Sequence, residues 1–194
     1  MLLLISLILS TLLHELAHLI AAKLLKCKVD VMSIGFGKPI FKKKIGETLY
    51  QIAPILLGGY CKLLGEESYS AKKTAFCNLS YRNKAFITMA GIIVNIISGL
   101  ISLIIGSIYH NYGFIYFAWF SIIIGVGNAI PAAPCLDGGY LIYYPLFIKL
   151  FGKKKGLVLF TKISKLSFYI LLAINIIFVF VWLWLYYVKN IRII

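Results

Sequence analysis

The sequence predicts an all-α polytopic membrane protein, with about four transmembrane helices and a small membrane-associated β-hairpin region after the first. Three observations carry that prediction. Of 194 residues 61% are hydrophobic and only 13% charged, for a mean hydropathy of +0.94, whereas soluble domains are roughly half apolar and about a quarter charged. Long stretches are nearly free of charge: residues 1–22 are broken only by Glu15, 85–148 only by Asp137, and 166–188 not at all. The basic residues that give the chain its formal +14 are clustered rather than spread, 12 of the 20 lying between Lys23 and Lys84 and 6 between Lys149 and Lys165. The remaining two are Lys189 and Arg192.

A span needs about 20 apolar residues, so the first stretch holds one helix, near residues 2–25. It reads as a span rather than a signal peptide, because it lacks a basic leading segment and carries His14, Glu15 and His18 inside its apolar run. The connection that follows is not a simple polar loop. Between about 31 and 64 come Gly35-Phe36-Gly37, the basic run Lys42 to Lys44, Thr48 to Ala53 and a Gly58-Gly59-Tyr60 turn, which read as short strands with turn chemistry between them. The apolar run Ile52 to Leu57 is too short to span and too apolar for water, which places the hairpin in the membrane face or against the helices.

The middle stretch holds two spans, near 86–108 and 114–148, separated by a polar turn at His110, Asn111 and Gly113; the second is interrupted by Pro131 and Pro134. Residues Lys149 to Lys165 mix lysines with Leu157, Val158, Leu159 and Phe160, as an interfacial segment on an anionic leaflet would. The last span falls near 166–188. With four spans, both basic segments share one side, and the positive-inside rule puts them in the cytoplasm with both termini outside. The reading is thus a multi-pass protein of the cell membrane, one domain over 1–194, whose basic excess sets orientation and calls for no nucleic acid. Four cysteines without a C-x-x-C pair read as packing residues.

Ionisable groups in a bilayer are expensive, and therefore mark function by default. The spans contain four: His14, Glu15, His18 and Asp137. His14-Glu15-Leu16-Ala17-His18 is an H-E-x-x-H pattern, which on a helix brings two imidazoles onto one face where they can bind one Zn²⁺, with the glutamate beside the metal-bound water. A catalytic zinc needs a third protein ligand and an open position. Asp137 is the only other acid inside a span. His14 lies about 20 Å down the first helix, while Asp137, as straight helix from Phe114, would overshoot a core of about 30 Å. The helix break at Pro131 and Pro134 brings it back toward the histidines, since unwound backbone is tolerated where it lines a cavity.

In these motifs the sequence resembles the site-2 proteases, intramembrane zinc metalloproteases with H-E-x-x-H on one core helix and N-x-x-P followed by L-D-G on another. Asn128, Pro131, Leu136, Asp137 and Gly138 match the second motif. Gly35-Phe36-Gly37 and Gly58-Gly59-Tyr60-Cys61-Lys62 look like landmarks of the branch that cleaves membrane-bound anti-sigma factors, and Ala90-Gly91 with Asn95 is similar to its A-G-P-x-x-N, with Ile92 in place of the proline. That branch carries PDZ domains between its second and third spans, where this chain has only a short turn, and no CBS domain is evident. The chain reads as a bare catalytic core.

The expected chemistry follows. One Zn²⁺ per chain is held by His14, His18 and Asp137, and Glu15 takes the proton of the attacking water and passes it to the leaving amine. The resemblance implies that Asn128 contacts substrate or the developing oxyanion; from the residues alone, its amide equally serves carbonyls freed by the prolines. The region 48–62, with Gly58, Gly59 and Tyr60, is expected to clamp substrate by strand addition. The expected partners are the lipid bilayer and a transmembrane protein substrate, anti-sigma factors and similar single-span proteins being one class. Gly91 and Asn95 read as helix-packing residues. Two readings compete: a membrane metal-binding or transport protein using the same ligands, and a non-cleaving relative that binds membrane helices.

Overall fold

The computed structural model describes residues 1–191, so Arg192 lies outside the described residues. Among the described residues there are five α-helices: α1 (Leu2–Leu24), α2 (Tyr81–Ile108), α3 (Tyr112–Ala129), α4 (Asp137–Phe151) and α5 (Lys153–Ile191). Four of them contain segments long and apolar enough to cross a membrane, namely α1, α2, α3 and the portion Lys153–Ile174 of α5. Helix ends follow local chemistry. Ser80 caps α2 by accepting from the Asn83 amide at 3.3 Å, and Asn111 caps α3 through the amides of Gly113 and Phe114. The α2–α3 connection is therefore as tight as the polar turn predicts, with His110 in the left-handed region at φ 50.

Three expectations need correction. The region after α1 is a four-stranded mixed sheet rather than a hairpin, with strands β1 (Val29–Phe36), β2 (Phe41–Ile45), β3 (Thr48–Ile52) and β4 (Ile55–Leu63) in the order β2-β3-β1-β4. β1 pairs parallel with β3 and antiparallel with β4. A purely helical class therefore understates the fold. Second, Gly58-Gly59-Tyr60 is not a turn. It lies within β4, where the missing side chains admit neighbours: a Cβ on Gly59 would stand 2.6 Å from the Ser33 carbonyl oxygen and 2.9 Å from Cγ of Glu15. Third, the segment read as interfacial is the last residues of α4 and the start of α5, broken only at Gly152, while the expected interruption at Pro131 and Pro134 falls between α3 and α4.

Helices α1 and α2 run antiparallel. His18 meets Ile87 and His14 meets Gly91, so numbers fall along one helix as they rise along the other. Ser10 bonds Ser121 at 2.9 Å, joining α3 to the same bundle. The sheet packs over the Cys27 end of α1, where Ala22, Val29, Met32, Leu63, Phe76 and Ile87 form a core. A second core of Ala75, Cys77, Tyr144, Leu157 and Phe160 ties α4 and α5 together.

Candidate metal centre

α1 sets His14 and His18 one turn apart with both side chains buried, their rings edge to face at 4.7 Å between centroids. The break between α3 and α4, Ile130–Leu136, then delivers Asp137 as the first residue of α4, close enough for its Oδ2 to lie 3.1 Å from Nε2 of His14 and 3.3 Å from Nε2 of His18. The two Nε2 atoms are themselves 3.1 Å apart. Gly138 and Gly139 make this docking possible. A Cβ on Gly138 would collide with the Ala129 carbonyl oxygen, and one on Gly139 with that of Ala133. The glycines after the aspartate thus let α4 start flush against the turn that precedes it.

The proton inventory shows why this triangle suits a cation. Nδ1 of His18 lies 2.8 Å from the carbonyl oxygen of Ile87, which can only accept, so Nδ1 carries the proton and Nε2 presents a lone pair. The buried Oδ2 of Asp137 has no hydrogen-bond partner. Oδ2 and the two Nε2 atoms therefore converge on one point, an arrangement that suits a positive ion among them. A tetrahedral zinc with bonds of about 2.0–2.1 Å has donor–donor edges of about 3.3–3.4 Å, and the observed edges of 3.1 to 3.3 Å match within the usual tolerance. His14, His18 and Asp137 are the one such group of donors among the described residues.

The donors and Glu15, also buried, line a cavity of about 1360 Å³. Its walls come from α1, β4, the turn after β4, the ends of α3 and α4, and α5. Asn128 lines it as well, with its side-chain NH₂ donating to the Ile124 carbonyl at 3.1 Å. Gly58, Gly59 and Tyr60 form part of the β4 wall. Tyr60 is anchored in the sheet: its hydroxyl accepts from Nε2 of Gln51 at 2.7 Å, and its ring stacks on Phe36. Phe36 also meets Phe168 of α5 at 5.2 Å.

Several contributors lie outside the residues expected to form the site. Ile87 acts through a backbone carbonyl, which no side-chain pattern reveals. Gly91 matters by what it lacks: a Cβ there would lie 2.5 Å from Nε2 of His18 and 2.7 Å from Cε1 of His14. Glu66 lines the cavity, with its carboxylate accepting from the Leu63 amide at 2.9 Å and its pKa pushed up to about 7 by burial. Its neighbour Glu67 is held below the usual carboxylate range, against the pull of burial, by hydrogen bonds and charge from Lys62 and Lys165.

Fold and site together define a multi-span membrane protein with a buried donor set suited to a divalent metal. The chain belongs to Peptidase family M50, the site-2 protease family, whose profile matches residues 2–112. It is similar to bacterial proteins named "Putative zinc metalloprotease". It is 41% identical to one from Borreliella burgdorferi over 113 residues, covering 51% of this chain and 26% of that protein. A relative from Clostridium acetobutylicum is 43% identical over 86 residues, covering 44% of this chain and 25% of its own. One from Thermotoga maritima is 30% identical over 131 residues, covering 65% and 24%. The matched regions thus span about a quarter of each of these relatives.

Proposed function

We propose that the protein is a zinc-dependent intramembrane endopeptidase that hydrolyses a peptide bond in or near a transmembrane segment of another membrane protein. The observation that carries this reading is the convergence of three lone-pair donors beside a buried glutamate, in a cavity bounded by helices of spanning length. His14, His18 and Asp137 would hold the ion. Zinc, when bound, supplies the Lewis acidity that makes water a nucleophile near neutral pH.

The protein's own groups do the rest. Nδ1 of His18, donating to Ile87, keeps its Nε2 free as a donor to metal. A Glu15 carboxylate oxygen accepts the proton of the attacking water and returns it to the leaving amine, a role that typically contributes about 10²–10⁴-fold. β4 is an edge strand of the sheet and lines the cavity. An unwound substrate segment, which must find backbone partners in lipid, is therefore clamped by strand addition along β4, with Gly59 beside Glu15. Asn128 faces the same cavity and contacts the substrate or the developing oxyanion. The spans are oriented with the basic segments in the cytoplasm, and the substrate is a single-span protein such as an anti-sigma factor.

The test is Glu15→Gln in membranes with a co-expressed single-span reporter, alongside zinc content of the purified protein. Cleavage should fall by at least 100-fold while zinc is retained. Undiminished cleavage would refute the assignment.

A further inference from the structure

The two histidines of the donor triangle are held unequally. Nδ1 of His18 is tied to the Ile87 carbonyl at 2.8 Å, but Nδ1 of His14, equally buried, has no hydrogen-bond partner. A metal-binding imidazole nearly always gives its second ring N–H to an acceptor that fixes its tautomer and orientation. Among the described residues the other unpartnered buried side-chain atoms are Oδ2 of Asp137, the Tyr140 hydroxyl, and both amide atoms of Asn95, the one of these that lies on α2, with 0% of its surface exposed. Buried polar groups without partners are rare enough that each calls for one.

We propose that Asn95 is the positioning residue of His14, its Oδ1 receiving the Nδ1 proton by way of a bridging water. The helix pair sets up the meeting. Ile87, Gly91 and Asn95 follow one another at four-residue steps along α2, and His18 and His14 descend α1 beside the first two. The Cε1–Nε2 side of the His14 ring lies against Gly91, which turns the N–C–N edge of the imidazole toward α2. Side chains on a helix lean toward its N-terminus. In an antiparallel pair, His14 therefore leans toward the level of Asn95 while Asn95 leans back toward the level of His14. On the far side Asn95 is closed off by α3, where a Cβ on Gly125 would lie 3.2 Å from its own Cβ. Its amide is thus sealed among the helices, where the hydroxyl of Ser10 at its own level is already joined to Ser121 and the Phe117 carbonyl, which leaves Nδ1 of His14, one turn away, as the orphaned polar atom it leans toward. The water has the polar partners a buried site requires.

This inference rests on His14 being a metal ligand, and the experiment separates the two. Zn²⁺ affinity of the full chain in detergent micelles is measured by chelator competition, and the visible spectrum of the Co²⁺ form is recorded, for His14→Ala, Asn95→Leu, Asn95→Asp and Ser121→Ala. Asn95→Leu keeps the branched shape and removes the acceptor, and zinc affinity should fall about 10–100-fold with an altered Co²⁺ spectrum. Asn95→Asp, which keeps an acceptor oxygen, should stay within a few-fold of the parent. Ser121→Ala, which removes the hydrogen bond from α3 to Ser10 and touches neither orphaned group, should leave affinity unchanged. The proposal is overturned if Asn95→Leu binds zinc as the parent does, or if Leu and Asp lose equally. If His14→Ala leaves zinc binding intact, the ligand assignment itself has failed. Should Leu prevent folding, Asn95→Ala against Asn95→Asp gives the same comparison.

Discussion

Gly91→Ala offers a direct check on how the donor triangle is assembled. A Cβ at that position would stand 2.5 Å from Nε2 of His18 and 2.7 and 2.8 Å from Cε1 and Nε2 of His14, against an ordinary contact of 3.4 Å or more. The shortfall is about 0.6 to 0.9 Å, several times the tolerance of about 0.2 Å for metal–ligand distances. Without metal the imidazoles can swing away from the methyl group; to bind zinc they must come back against it. The overpacking penalty, about 1–3 kcal/mol, therefore falls on metal binding, a loss of roughly 5- to 150-fold in affinity. The empty fold should be as stable as the parent or slightly more so, since alanine is favoured over glycine in a helix by about 1 kcal/mol. Chelator competition for zinc, with thermal unfolding of the metal-free protein alongside, reads both quantities. Gly99→Ala is the control: its Cβ would meet Ile122 and the Ala118 carbonyl on α3 rather than the donors, so it should lower stability and leave affinity alone. If Gly91→Ala binds zinc within twofold of the parent, the claim that α2 leaves room for the donors is wrong.

Two further outcomes are expected. Gly59→Ala would bring a Cβ within 2.9 Å of Cγ of Glu15 and 2.6 Å of the Ser33 carbonyl oxygen; reporter cleavage should fall about tenfold or more, since small misplacements of a reacting group weigh heavily on rate, while zinc content stays at the parent level. Equal cleavage would show that β4 does not set the position of Glu15. Glu66 has a folded-state pKa of about 7 against an ordinary 4.5, so its folded state favours the protonated carboxyl. Stability from this group is complete below pH about 4.5 and is lost as pH rises through 7, in total on the order of 3 kcal/mol. Glu66→Gln should flatten the fall in unfolding temperature between pH 5 and 8; coincident pH profiles for parent and variant would contradict the burial argument.

Much of this protein is written in local pattern. The uncharged stretches mark the helices because span length is a property of consecutive residues. H-E-x-x-H states its own geometry because helical spacing alone puts residues 14 and 18 on one face. The prolines at 131 and 134 announce the break that the backbone makes between Ala129 and Asp137. The sheet has no such local signature. Parallel pairing of β1 with β3 links residues 31–34 to 49–52 across an intervening strand, and two glycines that look like a turn are strand residues whose bareness only makes sense beside Glu15.

Local pattern sets the solvent, the number of long apolar segments and the chemical identity of the donors, because hydropathy and helical period are set over a few turns of chain. Tertiary structure alone decided that Oδ2 of Asp137 stands 3.1 Å from His14, that a carbonyl of α2 fixes the tautomer of His18, and that Gly91 leaves space for both rings. These depend on which helices touch and at what level, and a backbone carbonyl or a missing methyl group has no signature until its neighbour, some 70 residues away for His18 and Ile87, is in place.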